Sequence, residues 1–251
     1  MSSDLELALV LADAADAISL PRFRSGLAIE TKPDLTPVTE ADRAVESELR
    51  RMLAVERPGD GVLGEEHGES TGGERRWLID PIDGTRNYAR GIPIWATLIA
   101  LEESEAVRLG IVSAPALGRR WWAERDAGAY ANGEPARVSA VSRVEDAVLS
   151  LQVEDCVPRL ARRAWHTRAL GDFWAHMLVA EGAVDGAVEA MGVREWDLGA
   201  VQVIVEEAGG RFSDRDGRAR IDSRTAVTSN GVLHEELLAA IAEQAGARAE
   251  A

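Results

Sequence analysis

The sequence contains one cysteine, Cys156. No intramolecular disulfide is therefore possible, and a reducing, cytoplasmic setting is expected. No apolar run approaches the length needed to span a bilayer. Ser2 to Leu20 carries Asp4, Glu6, Asp13 and Asp16 and lacks a basic start, so no signal peptide and no membrane association are expected. Positive charge is scarce: 28 Lys and Arg stand against 43 Asp and Glu, a formal net charge of −15. So negative a surface repels phosphate backbones, which argues against nucleic acid as a partner. An anionic ester would need a local positive centre, and bound divalent cations would supply one. There is no internal repeat, low-complexity segment or clear linker. The 251 residues suit one domain over 1–251, with an N-terminal α+β half to about 140 and a C-terminal α/β half from about 141.

What is present reads as mixed helix and sheet. Leu7, Val10, Leu11, Ala14 and Ile18 recur at helical spacing, and Pro21 marks that helix's end. A turn-rich stretch, 32–37, precedes a second helix that starts near Thr39 and stops before Pro58-Gly59. Short strands are expected at 62–64 and 77–79, then a meander over 94–101, 107–113 and 120–123, with Asn132-Gly133 as a turn. Further on, 147–151, 183–188 and 226–228 read as strands. Phe173 to Glu181 and an amphipathic stretch from Trp196 to Ala208 read as helices, and Asn230 caps a last one that uses Val232.

Carboxylates fall where these elements end. Gly64-Glu65-Glu66 follows one strand, Asp80 and Asp83 follow another, and Asp197 opens a helix. Ligand sites in α/β folds gather at strand ends, and hard cations select oxygen ligands. Pro81 lacks an amide hydrogen, so the strand is expected to stop there. The turn can then aim Asp80, Asp83 and the Ile82 carbonyl at one point, while Gly84 admits close backbone approach and Thr85 begins a helix. Each feature has an ordinary reading as well. Asp-Gly makes turns, Asp197 suits a helix dipole, and Asp42 completes a capping box with Thr39. The four histidines, His67, His166, His176 and His234, lie outside any phosphatase histidine motif, and Cys156 is followed by no arginine loop.

The strings GEE (64–66), DPIDGT (80–85), WDLGA (196–200) and PVTEAD (37–42), with the Asn132-Gly133 turn, resemble the inositol monophosphatase superfamily in motif and order. The resemblance implies a layered αβαβα sandwich and a homodimer. It implies two or three Mg2+ ions held by Glu65, Asp80, Asp83, Asp197 and the Ile82 carbonyl. It implies that Gly84 and Thr85 cradle phosphate, and that Asp42, Thr85 and Glu65 orient water for direct in-line attack. A covalent haloacid-dehalogenase-like route lacks its nucleophile, because the position two before Asp83 is Pro81.

RGIPIWATLIAL (90–101), RRWWA (119–123) and RALGDF (168–173) look like the family's histidinol-phosphate phosphatase branch. Asp172 and Glu189, added to Asp83 and Asp197, would stabilise a cationic alcohol moiety, and Arg168 would help hold the ester. Asp172 also suits a helix N-cap. Two other readings stay open: an inositol 1-phosphate or broad sugar-phosphate phosphatase, and a binding or regulatory protein on the same fold.

Overall fold

The computed structural model describes residues 3–26, 29–31, 37–152, 158–189 and 192–249. Cys156 and most of the turn-rich 32–37 stretch lie outside them. Helix α1 (Asp4–Arg22) leads to the hairpin β1 (Ile29–Thr31) and β2 (Pro37–Thr39), then to α2 (Glu40–Glu56). Strands β3 (Gly61–Gly64), β4 (Gly68–Ser70) and β5 (Arg75–Asp83), helix α3 (Thr85–Arg90), and strands β6 (Ala96–Glu103), β7 (Ala106–Ala114), β8 (Arg119–Glu124), β9 (Gly128–Ala131) and β10 (Glu134–Pro135) follow. The remainder is β11 (Val148–Leu151), α4 (Pro158–Arg163), β12 (His166–Arg168), α5 (Asp172–Ala180), β13 (Gly186–Glu189), α6 (Glu195–Glu207), β14 (Arg211–Ser213), β15 (Ala226–Ser229) and α7 (His234–Ala249).

An eight-stranded sheet has the order β10-β9-β8-β7-β6-β5-β3-β4, and a five-stranded sheet has β12-β11-β13-β15-β14. Side chains alternate across a strand, and that alternation builds the layers. In β5 and β6, Trp77, Ile79, Ile99 and Leu101 pack with α1 and α2 residues such as Leu11, Val45 and Leu49. Leu78, Leu98 and Ala100 face the other way, onto α5 and α6. Leu149, Val188 and Val227 meet Leu160, Leu237 and Ile241 on the far side of the second sheet. The result is helix, sheet, helix, sheet, helix. Among the described residues, no helix is long and apolar enough to cross a membrane.

Several element expectations change. Helix α1 runs through Pro21 to Arg22; the proline removes one amide donor and the helix ends one residue later. The last helix starts at His234, with Asn230 Oδ1 accepting the Leu233 amide at 3.1 Å, and Val232 lies outside it, 60% exposed. Helix α6 is not amphipathic, since every residue from Leu198 to Val205 is buried. A helix held between two sheets has no solvent face. Truncation at adjacent positions, about 100° apart round the helix, should therefore destabilise alike: Val203→Ala and Ile204→Val each by about 1 kcal/mol or more. Calorimetric melting checks this, and tolerance at either position would contradict the sandwiched placement.

Candidate active site

Strand β5 does not stop at Pro81. It continues to Asp83 with a register shift, Asp80 pairing Leu98 and Asp83 pairing Ala96. Pro81 and Ile82 thus oppose Thr97 alone, a β-bulge. Pro81 has no amide hydrogen to give, but its carbonyl accepts the Thr97 hydroxyl at 2.8 Å. The bulge has a chemical consequence. Residues three apart on a regular strand point to opposite faces, and the extra residue brings Asp80 and Asp83 to the same one.

Asp197 reaches that point from the first turn of α6. Its Oδ2 accepts the Arg194 amide at 2.7 Å, which leaves the second oxygen for the site. Oxygens of Asp80, Asp83 and Asp197 lie within 4.8 Å of one another. Burial pushes all three carboxyls up, Asp197 to about 7, and their mutual repulsion and that of Glu65 adds to the effect on Asp80. Carboxylates so close together, Asp80 buried and Asp83 and Asp197 half-buried, need a compensating cation or protons.

Gly84 follows with φ +81°, and a Cβ there would stand 3.0 Å from the Ile94 carbonyl. Only glycine takes this left-handed position without strain. The Thr85 hydroxyl is 2.9 Å from the Ile82 carbonyl and 3.3 Å from Asp42 Oδ1. Asp42 Oδ2 accepts the Thr39 amide and hydroxyl at 2.8 and 2.6 Å. The capping box and the link to Thr85 therefore coexist in one side chain. Burial raises the Asp42 carboxyl, against the lowering effect of the Thr39 bonds.

A cavity of about 710 Å³ contains Glu65, Asp80, Ile82, Asp83, Gly84, Thr85, Asp172, Glu189 and Asp197 in its wall. Asp42 sits just behind it. Arg168 is not in that wall: it ends the edge strand β12, exposed, and its Nη1 donates to the Thr167 carbonyl at 3.4 Å. Nor does Asp172 cap α5. It is that helix's first residue, at φ +56°, and the Phe173 amide donates instead to Asp83 Oδ2. The Asp172 carboxylate faces the cavity, 3.4 Å from Asn87 Nδ2. Burial raises it and Arg86 opposes the rise.

The wall also holds residues that sequence reading passed over. His176 is buried there, with Nδ1 2.8 Å from the Thr228 hydroxyl and Nε2 3.9 Å from Glu189 Oε1. Burial lowers it to about 4, so it is neutral. Gln152 Nε2 donates to Glu189 Oε1 at 3.4 Å. A helical pattern places His176 on the buried side of α5, but no motif points to it. Trp121 belongs to the core, against Phe173 and Trp174, and Trp122 stacks on Tyr130.

A family model described as the inositol monophosphatase family matches residues 1–246. The sequence is 51% identical to a histidinol-phosphatase of Mycobacterium tuberculosis, covering 94% of this chain and 96% of that protein. It is 50% identical to a histidinol-phosphatase of Streptomyces coelicolor, covering 94% and 95%. A solved structure of a Thermotoga maritima IMPase superposes with a TM-score of 0.89 at 30% identity, covering 96% of this chain and 98% of that one.

Proposed function

The chain belongs to the inositol monophosphatase family, and we propose that within it the protein hydrolyses L-histidinol phosphate to L-histidinol and phosphate. The observation that carries the substrate is the half-identity, along nearly the whole chain, to two histidinol-phosphatases. The cavity agrees chemically. Beside the Asp80, Asp83 and Asp197 cluster it presents Asp172 and Glu189, and histidinol carries an ammonium group and an imidazole. Two further carboxylates add charge attraction for a cation that a neutral polyol does not receive. Neutral His176 and Gln152 flank Glu189.

An all-oxygen donor set, in which Asp80, Asp83 and Asp197 converge, fits a hard divalent cation. Asp80, Asp83, Asp197, Glu65 and the Ile82 carbonyl would hold it. When bound, such an ion supplies positive charge for the phosphoryl oxygens and makes water a usable nucleophile near neutral pH. The protein's own groups do the rest. Gly84 and Thr85 meet the phosphate where the backbone can approach closely. Glu65 and Thr85 hold the attacking water in line with the ester bond. The Thr85 hydroxyl, donating to Asp42 or the Ile82 carbonyl, keeps a lone pair for a proton of that water, and Asp42 stands behind it as acceptor. Positioning and charge neutralisation carry the acceleration, with no covalent phosphoenzyme. Magnesium as the ion, two or three per site, a homodimeric assembly and a cytoplasmic setting belong to the same proposal.

With Mg2+, the purified protein should release phosphate from histidinol phosphate at a kcat/KM at least about 100-fold above that for inositol 1-phosphate, a difference of roughly 2.7 kcal/mol. Glu189→Gln should lower kcat/KM for histidinol phosphate by about 10-fold or more, a loss of about 1.4 kcal/mol, and lower that for inositol 1-phosphate less. Equal rates on the two esters would remove the substrate assignment, and no release from any ester would favour a binding role.

A further inference from the structure

Glu46 is fully buried and takes no part in the chemistry described above. It lies on α2 one turn after Asp42 and one turn before Arg50. Its Oε2 accepts the Glu66 amide at 2.6 Å, and its Oε1 accepts the His67 amide at 3.2 Å. Arg50 Nε donates to the same Oε1 at 2.7 Å, and Arg50 Nη2 donates to the Gly68 carbonyl. One face of α2 therefore grips three consecutive residues, two of the β3–β4 turn and the first of β4. On the other side, the Glu65 amide donates to the Ile79 carbonyl of β5 at 3.2 Å. Glu65 is thus held between β5 and the Glu46 carboxylate.

Gly64 records how close the fit is. A Cβ at that position would stand 2.1 Å from Glu46 Oε1. The glycine before Glu65 is there because the carboxylate lies against its backbone. A buried carboxylate is costly unless it is hydrogen-bonded and paired, and here each oxygen accepts an amide and Arg50 balances the charge. Such a group fixes the backbone it binds.

We propose that Glu46 is a positioning residue that sets the reach of Glu65 into the cation site through the Glu66 and His67 amides. Asp42, Glu46 and Arg50, each four residues apart, then make one helix face the common mount of the site: Asp42 sets Thr85, while Glu46 and Arg50 set the segment carrying Glu65. The proposal rests on the reading of Glu65 as a cation ligand.

The test uses Glu46→Gln, which keeps the shape and loses one acceptor, and Gly64→Ala, which keeps Glu46 but displaces its carboxylate. Outer partners of a metal ligand typically matter 10- to 100-fold, so each variant should raise the Mg2+ concentration for half-maximal binding, read calorimetrically, by about 10-fold or more. Amide exchange at Glu66 and His67 should quicken, while KM for the ester at saturating Mg2+ stays within about twofold. The double variant should be no worse than the worse single one, because both act on one contact. If Glu46→Gln does not fold, Gly64→Ala decides alone. Unchanged Mg2+ binding in the folded variants, while Glu65→Gln weakens it, overturns the proposal. Unchanged Mg2+ binding in Glu65→Gln as well means that the reading of Glu65 has failed instead.

Discussion

Asp83→Asn should lose turnover on histidinol phosphate by on the order of 10³-fold, roughly 4 kcal/mol of transition-state stabilisation, while the metal-free fold becomes more stable. Both halves follow from the site's geometry. Asp83 belongs to the carboxylate cluster within 4.8 Å, and loss of one ligand charge weakens cation binding where charge neutralisation carries the reaction. The amide oxygen of asparagine can still accept the Phe173 amide, which Asp83 Oδ2 now does, so the start of α5 keeps its partner. Burial and the charges of Asp172 and Asp197 hold the Asp83 carboxyl far above its ordinary range. A neutral side chain removes that repulsion. At pH 8 without metal, the variant's melting temperature should equal or exceed that of the wild type, and its gain on adding Mg2+ should shrink. Near-normal turnover would remove Asp83 from the cation shell, and a collapsed metal-free fold would show its role to be structural.

The carboxylate cluster was legible because its members lie in short strings at element ends. Asp80 and Asp83 are three residues apart, and Asp197 marks a helix start, so local chemistry pointed at each of them. The way they meet was not legible. Proline reads as a strand end, and only the pairing of Asp80 with Leu98 and Asp83 with Ala96 shows a bulge that turns both carboxylates to one face. Helix α6 read as amphipathic because a sequence shows one periodic stripe and not the second sheet that covers the other side. Arg168 and Asp172 were read together from one string. The edge strand β12 turns the first outward, and the left-handed backbone at Asp172 turns the second inward. Glu46 and His176 act across 20 and 13 positions, on the turn after Glu65 and on Glu189. Neither sits in a motif, and the four-residue spacing of Asp42, Glu46 and Arg50 was the available signal for Glu46.

The cluster also dictates how metal-free stability responds to pH. The Asp197 carboxyl is raised to about 7 by burial first, with the charges of Glu65 and Asp172 adding to it, whereas an unfolded aspartate titrates near ~3.9. A group whose folded value is raised contributes stability that is full below the unfolded value and is lost as pH rises through the folded one. Asp80 and Asp83 shift in the same direction. His176 and His234 oppose this, since both are lowered to about 4 by burial, and their contribution grows as pH rises from about 4 to about 6.5. The decisive quantity is therefore the difference between wild type and Asp197→Asn, in which the histidine contributions cancel. Asparagine can still accept the Arg194 amide, so the cap survives. Without metal, the variant should gain stability relative to wild type from about pH 4 to about pH 7 and level off above that. Mg2+ at about 100 times its dissociation constant should return roughly 2.7 kcal/mol to the wild type at pH 8, about 5–10 °C in melting temperature for a chain of this length. The return should be smaller at pH 5, where protons compete for the same oxygens, and smaller in the variant at either pH. A difference between the two proteins that stays flat with pH, or an Mg2+ gain that is equal at pH 5 and pH 8, would show that Asp197 does not carry the linkage between cation binding and folding.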